Sequence, residues 1–240
     1  MGCTALTSFK SDLSSITSLT STQFTYMFYG CTALEVWDAS LSSLTSVSVG
    51  LFSSVHPNIV TFKSDLSSIV TGYGACYGLT KLTHFDANLS SMTIGTYMFY
   101  NCTALTTFNG DLSSLVVADN MFSGCSLNQV SLENIVNTIN DLNDYDLGSL
   151  TSYAGCGVIN IDCASDVPES VIQSCSNILQ SKGWSPIING VFRGSFDITA
   201  ENGYIPDASK WNTFASKYLD KTTITSVADG YIKNGSTNMY

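Results

Sequence analysis

Residues 98–115 read Met98-Phe99-Tyr100-Asn101-Cys102-Thr103-Ala104-Leu105-Thr106-Thr107-Phe108-Asn109-Gly110-Asp111-Leu112-Ser113-Ser114-Leu115, and copies of this stretch recur upstream. Anchored on the aromatic, the copies fall at Phe9, Trp37, Phe62, Phe85 and Phe108. Anchored on the leucine of the D-L-S-S segment, they fall at Leu13, Leu41, Leu66, Leu89 and Leu112. The spacings of 28, 25, 23 and 23 residues are those of one coil in a stacked solenoid. Five slots agree in five registers: Leu105/Phe108/Gly110/Ser113/Leu115 is preceded by Leu6/Phe9/Ser11/Ser14/Ile16, Leu34/Trp37/Ala39/Ser42/Leu44, Ile59/Phe62/Ser64/Ser67/Ile69 and Leu82/Phe85/Ala87/Ser90/Met92.

The first, fourth and sixth residues of each frame are expected to point inward from a short strand and to stack on their counterparts in adjacent coils. A large aromatic beside a small Ser, Ala or Gly keeps the volume of each layer roughly constant. The serine that follows is read as a hydroxyl satisfying backbone groups where the chain leaves the strand. A second apolar block, Met27-Phe28, Leu51-Phe52, Met98-Phe99 and Met121-Phe122, is expected to close the core from the opposite side.

The five-slot frame fits the leucine-rich-repeat pattern L-x-x-L-x-L-x-x-N/C-x-L. The G-C-T-A-L-T-x-F element at Gly2 to Phe9, its M-F-Y-G/N-C-T-A-L form at Met27 to Leu34 and Met98 to Leu105, and the D-L-S-S turns resemble the BspA-like leucine-rich repeats, over roughly residues 1–127. The resemblance implies a bacterial, protist or phage surface protein with a non-enzymatic role in adhesion or ligand binding. It is an analogy of fold, and fold alone does not carry function.

Of the 240 residues, 44% are hydrophobic and only 12% are charged, which describes a buried core under a neutral-polar surface suited to proteins or glycans. Residues 1–165 hold 3 lysines against 12 acids, whereas 166–240 hold 6 basic residues against 7 acids. An acidic solenoid repels phosphate backbones, so nucleic acid is not expected as a ligand. No apolar run reaches the length of a membrane span, so no membrane insertion is expected, and no basic-plus-apolar signal segment opens the chain. Met1-Gly2-Cys3 enters directly at repeat chemistry, which suggests either a longer parent chain or a first coil docked on a partner. The resemblance places the protein outside the cell, at a cell surface or on a virion.

Cys3, Cys31, Cys102 and Cys125 occupy one repeat slot. They are read as a ladder of buried thiols acting as small hydrophobes, although Cys3 with Cys31 or Cys102 with Cys125 would also be close enough to bridge. Cys156, Cys163 and Cys175 lie outside the ladder, and Cys156-x6-Cys163 lacks the close pairs of a zinc site. The acidic stretch Asn140 to Asp146 departs from a calcium loop at Tyr145 and Asp146 and is read as a solvated loop. Neither metal nor cofactor is expected.

Outward strand slots carry the candidate contacts. The slot after the aromatic holds Lys10, Asp38, Lys63, Asp86 and Asn109, which predicts an exposed ion-pair ladder. The slot before it holds Ser8, Val36, Thr61, His84 and Thr107, of which Thr61, His84 and Thr107 are candidates on a shallow ligand-accepting face. Tyr29, Tyr77 and Tyr100 share a further slot, with Tyr26 and Tyr97 nearby. They form either a strip contacting carbohydrate or protein, or half-buried packing.

After Cys125 the pattern changes. Leu132, Ile135, Val136 and Ile139 have helical spacing, with Ser131 and Asn134 expected to help start the helix. A strand Val158 to Cys163 and a second helix from about Val167 to Lys182, with Pro168 in its first turn and Gly183 at its end, complete a helix-strand-helix unit. Three units follow: a leucine-rich-repeat solenoid at 1–127, its C-terminal cap at 128–185, and a small α+β segment at 186–240 for attachment or oligomerisation. The last is marked by an alternating run from Phe192 to Ile198, a helix from Asp207 through Leu219, and a strand within Thr222 to Val227. The fold class is α/β.

No catalytic motif is present: the histidines, His56 and His84, fall in different coils, and G-x-S-x-G, P-loop, dinucleotide and H-E-x-x-H patterns are missing. Asp12, Asp65 and Asp111 repeat in register and are read as turn chemistry rather than as a glycosidase pair. The reading is a non-enzymatic recognition or adhesion module for protein or glycan, with a phage virion, fibre or cell-surface assembly component as the alternative. In either case 186–240 offers a route to a homo-oligomer.

Overall fold

The computed structural model describes residues 3–17, 28, 31–45, 52, 58–143 and 157–193, together with the backbone of three short strands beyond them. Five strands form one parallel sheet in sequence order: β1 (Ser8–Asp12), β2 (Val36–Ser40), β3 (Thr61–Asp65), β4 (His84–Asn88) and β5 (Thr107–Phe108). Its register pairs Phe9 with Trp37, Trp37 with Phe62, Phe62 with Phe85 and Phe85 with Phe108. One aromatic per coil thus lands on the next, as the sequence frame requires.

Side chains alternate across each strand, so the aromatic and the small residue two places on share the inward face. Trp37, Phe62, Phe85 and Phe108 are fully buried. Phe62 and Phe85 stack with centroids 5.0 Å apart, and Phe85 and Phe108 with centroids 5.7 Å apart. Across the core stand Phe28, Phe52, Phe99 and Phe122, which meet the strand rings edge-on: Phe99 lies 4.6 Å from Phe85 and 5.5 Å from Phe108. Edge-to-face contact suits the aromatic quadrupole and ties the two walls together. Met98 and Met121 are buried beside them, whereas Met27 and Leu51 fall outside the described residues.

Strand exit is handled by acids, with a difference from expectation. Asp12, Asp65 and Asp111 each accept the backbone N–H of the serine two residues on, at 2.8, 3.0 and 2.9 Å, and Asn88 does the same for Ser90 at 2.9 Å. The repeated carboxylates are turn formers, and the serines contribute their amides to these turns. The charge ladder closes on one rung among the described residues, Lys10–Asp38 at 2.9 Å. Lys63 is in register with both Asp38 and Asp86 but pairs with neither, since an exposed ion pair gains little against side-chain entropy.

After Phe108 the two walls exchange their secondary structure. The far wall, linked until then by single bridges from Thr71 to Ile94 and from Ile94 to Val117, becomes a sheet. Its members are β6 (Ala118–Leu127), β7 (Val158–Cys163) and β8 (Ser185–Ile188), all parallel, with β9 (Val191–Phe192) turning back antiparallel. The strand wall gives way to helices α1 (Gln129–Thr138) and α2 (Glu169–Ser181).

Helix α1 starts at Asn128, whose side chain accepts from the Ser131 N–H. Ser131 and Asn134, expected as starters, instead bind the open edge of β5. The Ser131 hydroxyl accepts from the Phe108 N–H at 2.9 Å and donates to the Thr106 carbonyl at 3.0 Å, and Asn134 Nδ2 donates to the Gly110 carbonyl at 3.1 Å. The α1 C-terminus is closed by Lys182, whose Nζ donates to the Val136 and Ile139 carbonyls at 2.9 and 3.0 Å, where a cation also meets the negative end of the helix dipole. One continuous hydrophobic core runs from Phe28 to Ile188.

The helix expected from Asp207 lies outside the described residues. Strands β10 (Ser226–Ala228), β11 (Tyr231–Asn234) and β12 (Thr237–Met239) form an antiparallel sheet of their own.

Candidate functional site

On the far wall the chain runs through two turns per coil, built on residues in the left-handed region. Gly74, Tyr97 and Asn120 occupy one slot with φ of 58°, 57° and 55°, and Gly78, Asn101 and Gly124 the other with φ of 70°, 58° and 76°. Between them, alternate amides donate to the next coil: Gly74 to Thr96, Cys76 to Met98 and Gly78 to Tyr100, then Tyr97 to Asp119, Phe99 to Met121 and Asn101 to Ser123. The amides in between close local turns, such as Tyr77 to Gly74 and Tyr100 to Tyr97. Cys76 or Phe99 is thereby directed inward while a tyrosine follows it on the outside.

Four tyrosines converge on this surface. Tyr77 and Tyr100 stack with centroids 5.2 Å apart at 19°. Tyr73 meets Tyr97 edge-on at 5.8 Å, and Tyr97 meets Tyr100 edge-on at 5.5 Å. With Gly74 they line a shallow depression of about 300 Å³. Tyr73 and Tyr77 are 40% and 42% exposed, enough for a ligand to cover them. Tyr77 and Tyr100 were legible from their shared slot; Tyr73 was missed because it has no tyrosine counterpart in the next coil, where Thr96 stands. Tyr29 lies outside the described residues.

The wall next to the tyrosines is polar. One coil on, Asn120 and Ser123 take the slots of Tyr97 and Tyr100, and the Ser123 hydroxyl donates to Asn120 Oδ1 at 3.3 Å. The amides of Asn120 and Gly124 donate to the side chains of Asn160 and Asp162, at 2.9 and 2.8 Å. The compact β7 thus supplies side-chain oxygens where earlier coils supply carbonyls. Asn120 Nδ2 is buried with no hydrogen-bond partner.

The other candidates lie on the opposite side. Thr61, His84 and Thr107 are in register at the starts of β3, β4 and β5, across the Phe85–Phe99 contact from the tyrosines. One small ligand cannot touch both sets. His84 is exposed, and its Nδ1 lies 2.8 Å from the Thr83 hydroxyl. His56 lies outside the described residues.

The thiols are core groups except Cys3, which is exposed and so departs from the expected buried ladder of Cys3, Cys31, Cys102 and Cys125 because it stands in the first coil described, with no described coil before it to cover it. All seven described cysteines are free, and Cys31, Cys76, Cys102, Cys125, Cys163 and Cys175 are buried. Cys156 lies outside the described residues. Burial pushes the Cys102 thiol up to about 12 and those of Cys76 and Cys125 well upward, which makes them poor nucleophiles. Cys76 sits in the slot that Phe99 and Phe122 fill elsewhere. Between α1 and α2 lies a second depression of about 310 Å³, lined by residues including Glu133, Ser174 and Cys175. Burial, with the Glu133 carboxylate beside it, pushes Cys175 to about 11. No group of three His, Cys, Asp or Glu among the described residues is placed to hold a metal ion.

Parallel coils, an aromatic ladder on the strand wall and an exposed aromatic surface on the far wall define a leucine-rich-repeat solenoid. The chain belongs to the BspA type leucine rich repeat family, whose profile matches residues 2–73, 23–143 and 71–195 in six copies. The match runs well past residue 127, into the segment where the walls exchange. Proteins with these repeats are typically surface-associated modules of protein interaction or adhesion and are typically non-enzymatic. No curated protein and no solved structure matches the chain. Among the described residues, no helix is long and apolar enough to cross a membrane.

Proposed function

We propose that this protein is a non-enzymatic recognition module that binds a protein or glycan partner through the tyrosine-bearing far wall of its solenoid. The observation that carries the reading is the convergence of Tyr73, Tyr77, Tyr97 and Tyr100 from two coils into one partly exposed depression. Tyrosines combine a broad apolar face with a polar tip and cost little entropy to hold still, which suits them to recognition. In this reading residues 128–185 cap the solenoid, with α1 meeting the last strand edge, and the sheet of the cap continues just past that span, where β9 pairs along β8. Within 186–240, the residues beyond β9 then join the module to a larger assembly or to copies of itself.

The test applies the labelled full chain to whole cells and to protein and glycan arrays, comparing Tyr77→Ala/Tyr100→Ala with Thr61→Ala/His84→Ala/Thr107→Ala. Loss of binding in the tyrosine variant alone supports the reading. Loss in the strand-wall variant alone moves the site to the other face and refutes it.

The alternative, a virion, fibre or cell-surface assembly component, is favoured by β10–β12, a sheet beyond the span matched by the repeat family. Light scattering of the intact chain over a dilution series tests it: a defined oligomer supports assembly, and a monomer throughout counts against it.

A further inference from the structure

Tyr97 occupies a conformation that its own side chain opposes. A bulky residue at φ 57° is uncommon and strained, and the same slot holds glycine one coil earlier and asparagine one coil later, the residue types that tolerate it. Strain of this kind persists where the surroundings impose it, and it concentrates at ligand sites. Here the strained residue is the centre of the tyrosine group, edge-on to both Tyr73 and Tyr100.

The lining bears on what would bind. Four phenols and one glycine form the depression, so an ionised ligand finds no counter-charge within it. Ring faces with hydroxyl tips match a ligand that is apolar on one side and hydroxylated at its edge. One coil on, outside the residues that line the depression, stand the Ser123 hydroxyl and the Asn120 amide, whose Nδ2 is buried and unpartnered. The amides of Gly74, Cys76, Gly78, Tyr97, Phe99 and Asn101 are committed to coil-to-coil bonds, which removes the donors that an extended peptide needs for strand addition.

We infer that this depression is a neutral-glycan subsite, in which a sugar ring packs on the Tyr77–Tyr100 pair and Tyr97 is held in its strained conformation as the wall that selects the ring. The inference rests on the recognition reading above and narrows it to one ligand class.

The experiment screens the full chain on an array of neutral, sialylated and sulfated glycans and on a proline-rich peptide array. Calorimetric titration with the best neutral oligosaccharide follows, for the parent, Tyr77→Ala and Tyr97→Asn. The expected result is neutral-glycan binding weakened about tenfold or more in both variants, with a Tyr97→Asn melting temperature no lower than the parent's. Binding lost without a stability penalty is what a residue held only for packing would not produce. Unchanged affinity in Tyr97→Asn, a melting temperature well below the parent's, retention of acidic glycans only, or no neutral glycan retained would each overturn the inference. Capture of a peptide or protein that depends on the same tyrosines overturns the glycan assignment and leaves the recognition reading standing. Binding of any class that ignores the tyrosines overturns both.

Discussion

Replacing Ser131 with alanine tests how the strand wall is closed. The Ser131 side chain, in a residue only 1% exposed, is the acceptor for the Phe108 N–H at 2.9 Å and the donor to the Thr106 carbonyl at 3.0 Å. Alanine leaves the Phe108 amide buried without a partner, which costs about 1–3 kcal/mol. The Thr106 carbonyl keeps the Asn128 amide at 2.9 Å, so its loss is about 0.5–1 kcal/mol. Alanine returns about 0.5 kcal/mol as a better helix former, and the net is a destabilisation of about 2 kcal/mol. A solenoid can open from one end without unfolding as a whole, so the primary assay is hydrogen exchange at the Phe108 amide, supported by urea denaturation. About 2 kcal/mol corresponds to exchange about thirtyfold faster. Asn134→Ala should do less, since it removes only a donor to carbonyls. Phe108 exchange within about twofold of the parent, or a larger effect from Asn134→Ala, would refute the edge-closing role of α1.

Gly110→Ala should destabilise by about 1–3 kcal/mol, because a Cβ there would collide with the buried Phe108 ring; a urea midpoint unchanged from the parent would contradict this. Thiol mapping by mass spectrometry should find exposed Cys3 labelled in the native protein and Cys76, Cys102 and Cys125 labelled only in denaturant. Because burial raises the Cys76, Cys102 and Cys125 thiols above the ordinary value of 9, their contribution to stability is intact below that pH and is lost as pH rises from 9 toward the Cys102 value of about 12. Cys102→Ala should therefore lose less of its unfolding midpoint over that range than the parent does.

Much of the architecture is legible in the chain. Five registers with one aromatic and one small residue each predict a parallel ladder, and β1–β5 pair in that register. Strand Val158–Cys163 and both helices have their own periodicity, and each forms close to its predicted span. The charge ladder was overcounted, because register brings exposed charges near one another without making their pairing favourable. The roles of Ser131 and Asn134 were misjudged because helix-start chemistry and edge-sealing chemistry use the same residue types.

By itself, the sequence determined the coil length, the inward residues and the slot shared by Tyr77 and Tyr100, since each depends on periodicity along one chain. Only the tertiary structure decided that the walls exchange after Phe108, since that depends on which face each new element meets. It also decided that Tyr73 and Tyr97 join the pair, which stands across the core from Thr61, His84 and Thr107. A surface made from two coils depends on their separation in space and on the left-handed turn at Tyr97, and neither is written in the local order of residues.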